Sequence, residues 1–276
     1  MPRSSTYEVA LDASYFTPNQ LQTVAVGRLG FQAGTRWLRD HVYSHRTLVS
    51  EHRVGLVLWA WQLEYEQPLR FADADDVLID VHGRVRGRRS SQLEVAMTIT
   101  GPRGVAVRTR AASVPLQLSG DQALSGTPAP LPDRVVERFG ADEREPSPFR
   151  TQVPVLRSMV ERDGQRLASV TLSTRIHRHH CEVADQWYWA ESLGFAGAAR
   201  EELVLRYGSQ TPDLRRALSE GVRRVDVTWL RAGQLWDQLD VHTTGYRLGG
   251  EVVFISELRL AGDDGGLPYA YVVERV

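Results

Sequence analysis

The chain has 276 residues, 42% hydrophobic and 24% charged, a globular composition able to bury a core in one large domain or two ordinary ones. Its 33 basic and 34 acidic residues leave a net charge of −1, so no bulk field favours nucleic acid or an anionic membrane surface. All the basic residues are arginine, which excludes a Schiff-base lysine and a P-loop lysine. The single cysteine cannot close an internal disulfide, and the opening stretch MPRSSTYEVALD lacks the apolar centre of a signal peptide. No apolar run approaches membrane-spanning length, so a cytoplasmic protein without a membrane partner is expected.

The predicted elements run in a clear order. Thr6 to Ser14 alternates as a strand. Gln20 to Val42 carries Leu21, Val24, Leu29, Phe31, Trp37 and Leu38 at helical spacing. Four strand-like runs follow: VGLVLWAWQLEYEQPLRF from Val54, DVLIDVHGRVRG, QLEVAMTITG and GVAVRTRAASVPLQL, separated by turn residues. This is one long helix and an antiparallel meander, an α+β pattern. Ser119 to Thr151 is rich in Pro, Gly, Ser and charge, and reads as a connector with a short helix around Asp133 to Phe139.

The order then repeats. Val153 to His180 reads as strands with a turn at Asp163-Gly164. Trp187 to Tyr207 reads as a helix capped by Gly208, and PDLRRALSEG as a short second helix. The remainder is strand-like. Leu29 to Arg36, LGFQAGTR, lies over Leu193 to Arg200, LGFAGAAR, without a gap, and each helix brings small residues that permit close packing. Asp73 to Gly87 and Leu235 to Gly250 both place an acid-bounded turn before a strand holding Asp-Val-His. The expectation is two copies of one unit: residues 1–118, a linker over 119–151, and residues 152–276.

Most of the chemistry-bearing residues fall between His177 and Leu203, HRHHCEVADQWYWAESLGFAGAAREEL. In an extended strand His177, His179 and Cys181 would share a face, the geometry of a soft metal triad. No second Cys/His cluster completes such a site, so no metal is expected. His180 would then share a face with Glu182. Cys181 would need a low pKa and an adjacent base to act as a nucleophile, and neighbouring strand residues point apart. No G-x-S-x-G elbow and no dinucleotide fingerprint occurs, and no cofactor is expected. Trp59, Trp61, Tyr65, Trp187, Tyr188, Trp189, Trp229 and Trp236 could line an acyl pocket or fill the core. Arg84, Arg86, Arg88 and Arg89 form a basic turn that could receive a carrier phosphate or simply face solvent.

A long helix wrapped by an antiparallel sheet, present twice, resembles the double hotdog fold. The second half is similar to the 4-hydroxybenzoyl-CoA thioesterase family, whose pattern before the central helix is roughly Asp-Cys-Asp-Pro-Ala-Gly. Here His180-Cys181-Glu182-Val183-Ala184-Asp185 matches at Cys181 and Ala184 and sets Glu182 where the family has its catalytic acid. Glu replaces Asp, Asp185 stands at the usual Gly, and Glu191 lies near a position many relatives fill with Asn. Overlaying the two helices sets Pro18 opposite Glu182, so the first repeat lacks the acid.

The resemblance implies an enzyme acting on acyl thioesters carried by coenzyme A or an acyl carrier protein, in polyketide or fatty-acid-type biosynthesis. Hydrolysis is the leading reaction. Acyl transfer, with or without decarboxylation, and non-catalytic carrier binding are the alternatives, and dehydration is less favoured. It implies Glu182, Tyr188, Trp189 and His180 as catalytic groups, with helix-end N–H donors around Tyr188 and Trp189 for an oxyanion. Trp187, Asp185 and Glu191 are the expected substrate contacts. Two fused repeats can mimic a homodimer of single units, and two such chains could also pair.

Overall fold

The computed structural model describes residues 3–87, 91–119, 126–139, 142–143, 145, 147, 149–182, 185–263 and 265–276. The chain divides into two compact units, Met1–Phe149 and Arg150–Val276. In the first, β1 (Arg3–Ala10) leads to α1 (Thr23–His41), α2 (His45–Ser50), β2 (Val54–Tyr65), β3 (Asp76–Arg86), β4 (Gln92–Gly101) and β5 (Gly104–Leu118). Then come β6 (Gly126–Pro128), paired with β5, α3 (Asp133–Phe139), and β7 (Asp142–Glu143), paired in parallel with β3. The main strands pair antiparallel in the order β1-β3-β4-β5-β2.

The second unit opens on α4 (Phe149–Asp163) and continues through β8 (Gln165–Arg175), α5 (Glu191–Tyr207), α6 (Pro212–Glu220), β9 (Arg224–Trp229), β10 (Gln238–Leu248), β11 (Glu251–Leu260) and β12 (Ala270–Arg275). Its antiparallel order is β8-β10-β11-β12-β9. Numbered within each unit, both sheets read first, third, fourth, fifth, second. The repeat extends to side chains: Thr6 on β1 donates to Asp80 on β3, and Ser173 on β8 donates to Asp240 on β10, both at 2.5 Å and both between directly paired residues.

Strand alternation explains why the helices lie where they do. Along β3, Val77, Ile79, Val81, Gly83 and Val85 are buried and the residues between them are more exposed. The buried set faces α1, whose Trp37 is fully buried and donates its indole N–H to the Arg3 carbonyl at 3.1 Å. Gly83 permits this fit, since a Cβ there would come within 2.4 Å of the Trp37 ring. In the second unit the sheet is covered on both faces. Buried Ser192 and half-buried Arg200 on α5 reach Trp229 and Glu274 on one face. On the other, Val153, Leu156 and Val160 of α4 pack with Val253, Ile255 and Val273.

The structure corrects three readings. Val153 to Asp163 is helical, not a strand. Val153, Leu156 and Val160 recur at spacings of three and four, a helical stripe hidden by the strand-like opening VPV. Pro154 lies inside the helix, in its second turn, where it removes one i→i−4 hydrogen bond. Second, a short helix, α2, stands between the predicted long helix and the first strand-like run. Its start is fixed by Ser44, whose hydroxyl accepts the Thr47 N–H at 3.0 Å. Third, Trp187 to Ala190 precede α5 instead of forming its first turn. The short helix at Asp133–Phe139 is present, and much of the surrounding 119–151 stretch lies outside the described residues. No helix among the described residues is long and apolar enough to cross a membrane.

Candidate active site

β8 ends at Arg175, and the chain then turns through a single 3-10 turn, Arg178–His180. The His177–Cys181 stretch is therefore not an extended strand. Its neighbours are set by the turn: His177 and His179 stack at 5.9 Å, and the Cys181 thiol lies 3.5 Å from the His177 carbonyl. His180 swings onto Phe195 of α5, with ring centroids 5.1 Å apart. Among the described residues no group of three His, Cys, Asp or Glu side chains is placed to hold a metal ion.

Past the turn, the chain forms a small closed loop. Cys181 and Trp187 make an antiparallel bridge. Glu182 N–H donates to the Gln186 carbonyl at 2.8 Å, and Asp185 N–H to the Glu182 carbonyl at 3.1 Å. Asp185 closes the turn at φ 55°, the left-handed region in which a Cβ is disfavoured. This is the position where the resembled family carries Gly. The Asp185 carboxylate pairs with Arg178 at 2.8 Å on the exposed side of the loop. A second layer stitches the loop to residues 233–237: Trp187 N–H donates to the Gly233 carbonyl and Leu235 N–H to the Asp185 carbonyl, both at 2.9 Å. Gly233 is required here, because a Cβ would meet Ile176 Cδ1 at 2.6 Å and the Trp187 ring at 3.3 Å.

Glu182 sits half-buried in this loop. Burial raises its pKa above the ordinary glutamate value of 4.5. Among the described residues no hydrogen bond or ion pair engages its carboxylate. Arg178, the nearest cation in sequence, is held by Asp185 instead. His180 is pushed below the ordinary imidazole range, by burial first and by the neighbouring His179 next, with Glu191 acting in the opposite sense. Its Nδ1 accepts the His177 N–H at 3.1 Å, so the neutral ring carries its proton on Nε2.

The aromatic residues fall into different roles. Trp187 is buried between Phe195 and Tyr269, with centroids at 6.0 and 5.5 Å. Trp189 packs edge-on against Trp229 at 5.5 Å and tilts against Tyr188 at 5.4 Å. Trp236 is exposed at φ 75°. The helix start departs from expectation at one donor: Tyr188 N–H is bonded to the His180 carbonyl at 2.7 Å. Ala190, fully buried and directly before α5, has an N–H that meets no acceptor among the described residues. Glu191 is the first helical residue, within electrostatic reach of His180.

Two supporting residues escaped the sequence reading. The Ser192 hydroxyl donates to the Trp189 carbonyl at 2.6 Å and accepts the Trp229 indole N–H at 3.1 Å, locking the first turn of α5. Asp237 accepts the Gln234 N–H at 2.9 Å and the Tyr269 hydroxyl, which holds the 233–237 turn against the loop. The acid-bounded turn before β10 was the visible signal for Asp237. Ser192 had none, because its Trp229 partner is remote in sequence. The basic turn resolves differently: Arg84 and Arg86 reach the buried Glu94 at 2.5 and 3.3 Å, while Arg88 and Arg89 lie outside the described residues.

No family model and no curated protein matches this sequence. Solved structures do. A protein of Lactobacillus plantarum assigned as an oleoyl thioesterase superposes with a TM-score of 0.73 at 10% identity, over 99% of this chain and 95% of that one. The 12:0-ACP thioesterase of Umbellularia californica gives 0.68 at 10% identity, over 98% and 96%. An acyl-ACP thioesterase of Bacteroides thetaiotaomicron gives 0.64 at 10% identity, also over 98% and 96%. At such identities the likeness establishes the fold, a tandem hotdog with one long helix and one antiparallel sheet per unit.

Proposed function

We propose that the protein is an acyl-thioester hydrolase whose base is Glu182. The observation that carries this reading is the half-buried Glu182 carboxylate, raised in pKa by burial and unpaired among the described residues, in the loop that feeds the N-terminal end of α5. A carboxylate kept for structure is normally tied to a cation or a cap. A carboxylate kept for catalysis needs an open lone pair and a pKa moved toward the working pH.

The chemistry follows from the arrangement. Glu182 takes a proton from a water as its oxygen attacks the thioester carbonyl. The developing oxyanion is stabilised by the positive end of α5, with the Ala190 N–H as the donor. Collapse breaks the C–S bond, and the proton held by Glu182 passes to the departing thiolate. The products are a carboxylic acid and a free thiol. His180, with its proton on Nε2, donates to the substrate, and Trp187 and Trp189 border the acyl group. Asp185 serves the loop through Arg178 and its backbone instead of touching substrate. Coenzyme A and acyl carrier protein are both suitable carriers, and the full-length structural relatives named for acyl-ACP substrates support the second.

The deciding experiment measures thiol release from a panel of acyl-coenzyme A and acyl-carrier-protein substrates, with wild type and Glu182→Gln in parallel. Release by wild type that collapses in the variant is expected. Absence of release from wild type, or release indifferent to the substitution, overturns the reading and favours carrier binding or acyl transfer.

A further inference from the structure

The face of the second sheet turned away from α5 carries a cavity of about 230 Å³ between α4 and strands β8, β10 and β11. Its wall includes Arg166, His242, Tyr246 and Ile255, with Arg157 and Glu161 from α4 and Glu257 from β11. None of these residues belongs to the Glu182 loop.

The wall holds two arginines and two glutamates, equal in number but not paired with one another throughout. Glu161 is paired with Arg157 at 3.2 Å, and Arg157 also lies over the Tyr271 ring at 4.3 Å. Glu257 is paired with Arg259. Both carboxylates are thus compensated. Arg166 is not: its guanidinium meets the Ser169 hydroxyl at 2.7 Å and no carboxylate among the described residues. The positions beside it are polar and uncharged. His242 contacts the Thr171 and Thr244 hydroxyls at 3.1 and 3.5 Å. Burial first, and the Arg166 charge second, lower its pKa, so the ring is neutral at pH 7.

The backbone aims Arg166 into this wall. β8 and β10 pair in step from Gln238↔Arg175 to Gly245↔Ala168, and the register then shifts so that Tyr246 faces Arg166. Without that bulge Leu167 would oppose Tyr246, and a one-residue slip turns a side chain to the other face. The irregularity sets a cation, in place of leucine, beside the Tyr246 hydroxyl.

We infer that this cavity is a binding site for a small organic carboxylate. Arg166 forms the ion pair, the Tyr246 hydroxyl adds a hydrogen bond, and the apolar body of the ligand rests on Ile255. A guanidinium presents paired donors that match a carboxylate, which favours this class over a cation or a neutral solute.

Benzoate serves as the probe and benzamide as its neutral counterpart, with binding followed by calorimetry on the full chain. Benzoate should bind saturably at one site and benzamide should not. Arg166→Gln should weaken benzoate at least tenfold, as expected for loss of a charge-assisted bond. Arg166 is exposed, so this variant should fold, as circular dichroism will check. Glu182→Gln should bind benzoate as wild type does. Absence of saturable binding, equal binding of benzamide, or indifference to Arg166→Gln overturns the inference. Loss of binding in Glu182→Gln would move the anion to the other site and equally overturn it.

Discussion

The loops that precede the central helices of the two units are built on one plan and finished differently. In the first, a 3-10 turn at Ala13–Tyr15 leads into the bridge Phe16↔Leu21; in the second, Arg178–His180 leads into Cys181↔Trp187. Thr17 N–H donates to the Gln20 carbonyl just as Glu182 N–H donates to the Gln186 carbonyl. The bridges therefore set Thr17 opposite Glu182, whereas the helix overlay had set Pro18 there. The Thr17 hydroxyl is used up within its own turn, accepting the Asn19 and Gln20 N–H groups at 3.3 and 3.2 Å and donating to the Gln20 carbonyl. The second loop has one more residue and carries a carboxylate that no described residue engages. The same scaffold can thus hold a side chain that closes its loop or one that is left available for chemistry.

The sharpest way to break this contrast is to substitute both positions. Glu182→Gln should lower thiol release by about a hundred- to ten-thousandfold, the usual contribution of a general base. Thr17→Val should leave release unchanged and cost about 1 kcal/mol of stability in denaturant unfolding. Equal losses of activity would erase the distinction. The acid side of the pH–rate profile should also lie above pH 4.5, because burial raises Glu182.

The same shift predicts a stability effect of defined sign. A raised folded value means the folded protein holds the proton more tightly than the unfolded chain does. That stabilisation is complete below the ordinary value of 4.5 and is lost as pH rises through the raised folded value. Glu182→Gln should therefore melt above wild type at pH 7, and the two melting curves should converge as pH falls toward 4.5.

Next in size are the buried ion pairs. Among the described residues, Glu274 on β12 is matched by a single arginine, Arg200 of α5, whereas Glu94 on β4 is matched by both Arg84 and Arg86. Arg200→Met should cost about 3–5 kcal/mol, because it strands a buried carboxylate. Arg84→Met should cost less, since Arg86 remains. A double variant, Arg200→Met with Glu274→Met, should recover much of the loss.

Gly83→Ala comes third, at about 1–3 kcal/mol, because the added methyl collides with the fully buried Trp37. The smallest effect is expected at Asp185. Asp185→Gly should lie within about 1 kcal/mol of wild type, since relief of the left-handed backbone offsets the exposed pair with Arg178. Asp185→Val should be clearly worse, because a β-branched residue is disfavoured at positive φ.

The strands were legible because their signal is local. Alternation marked β3, β4 and β5 almost to the residue, and the repeated order of elements exposed the duplication. The overlay of LGFQAGTR on LGFAGAAR, however, runs two residues out of step with the buried faces, where Gly30, Ala33 and Trp37 correspond to Ala196, Ala199 and Leu203. The sequence reading lost α4, whose Val153 and Pro154 mimic a strand opening, and whose helical stripe makes sense only against Val253 and Val273. Glu182 was singled out by the family resemblance and by its place before a helix. Its loop was not legible: the bonds to Gly233 and Leu235 join positions some fifty residues apart.

The shared strand order carries an evolutionary consequence. In an assembly of two identical subunits, every substitution is made twice, and a change that suits one copy is imposed on the other. One reading frame encoding both copies removes that coupling. Thr17 and Glu182 can then be inherited, tested and kept as separate traits.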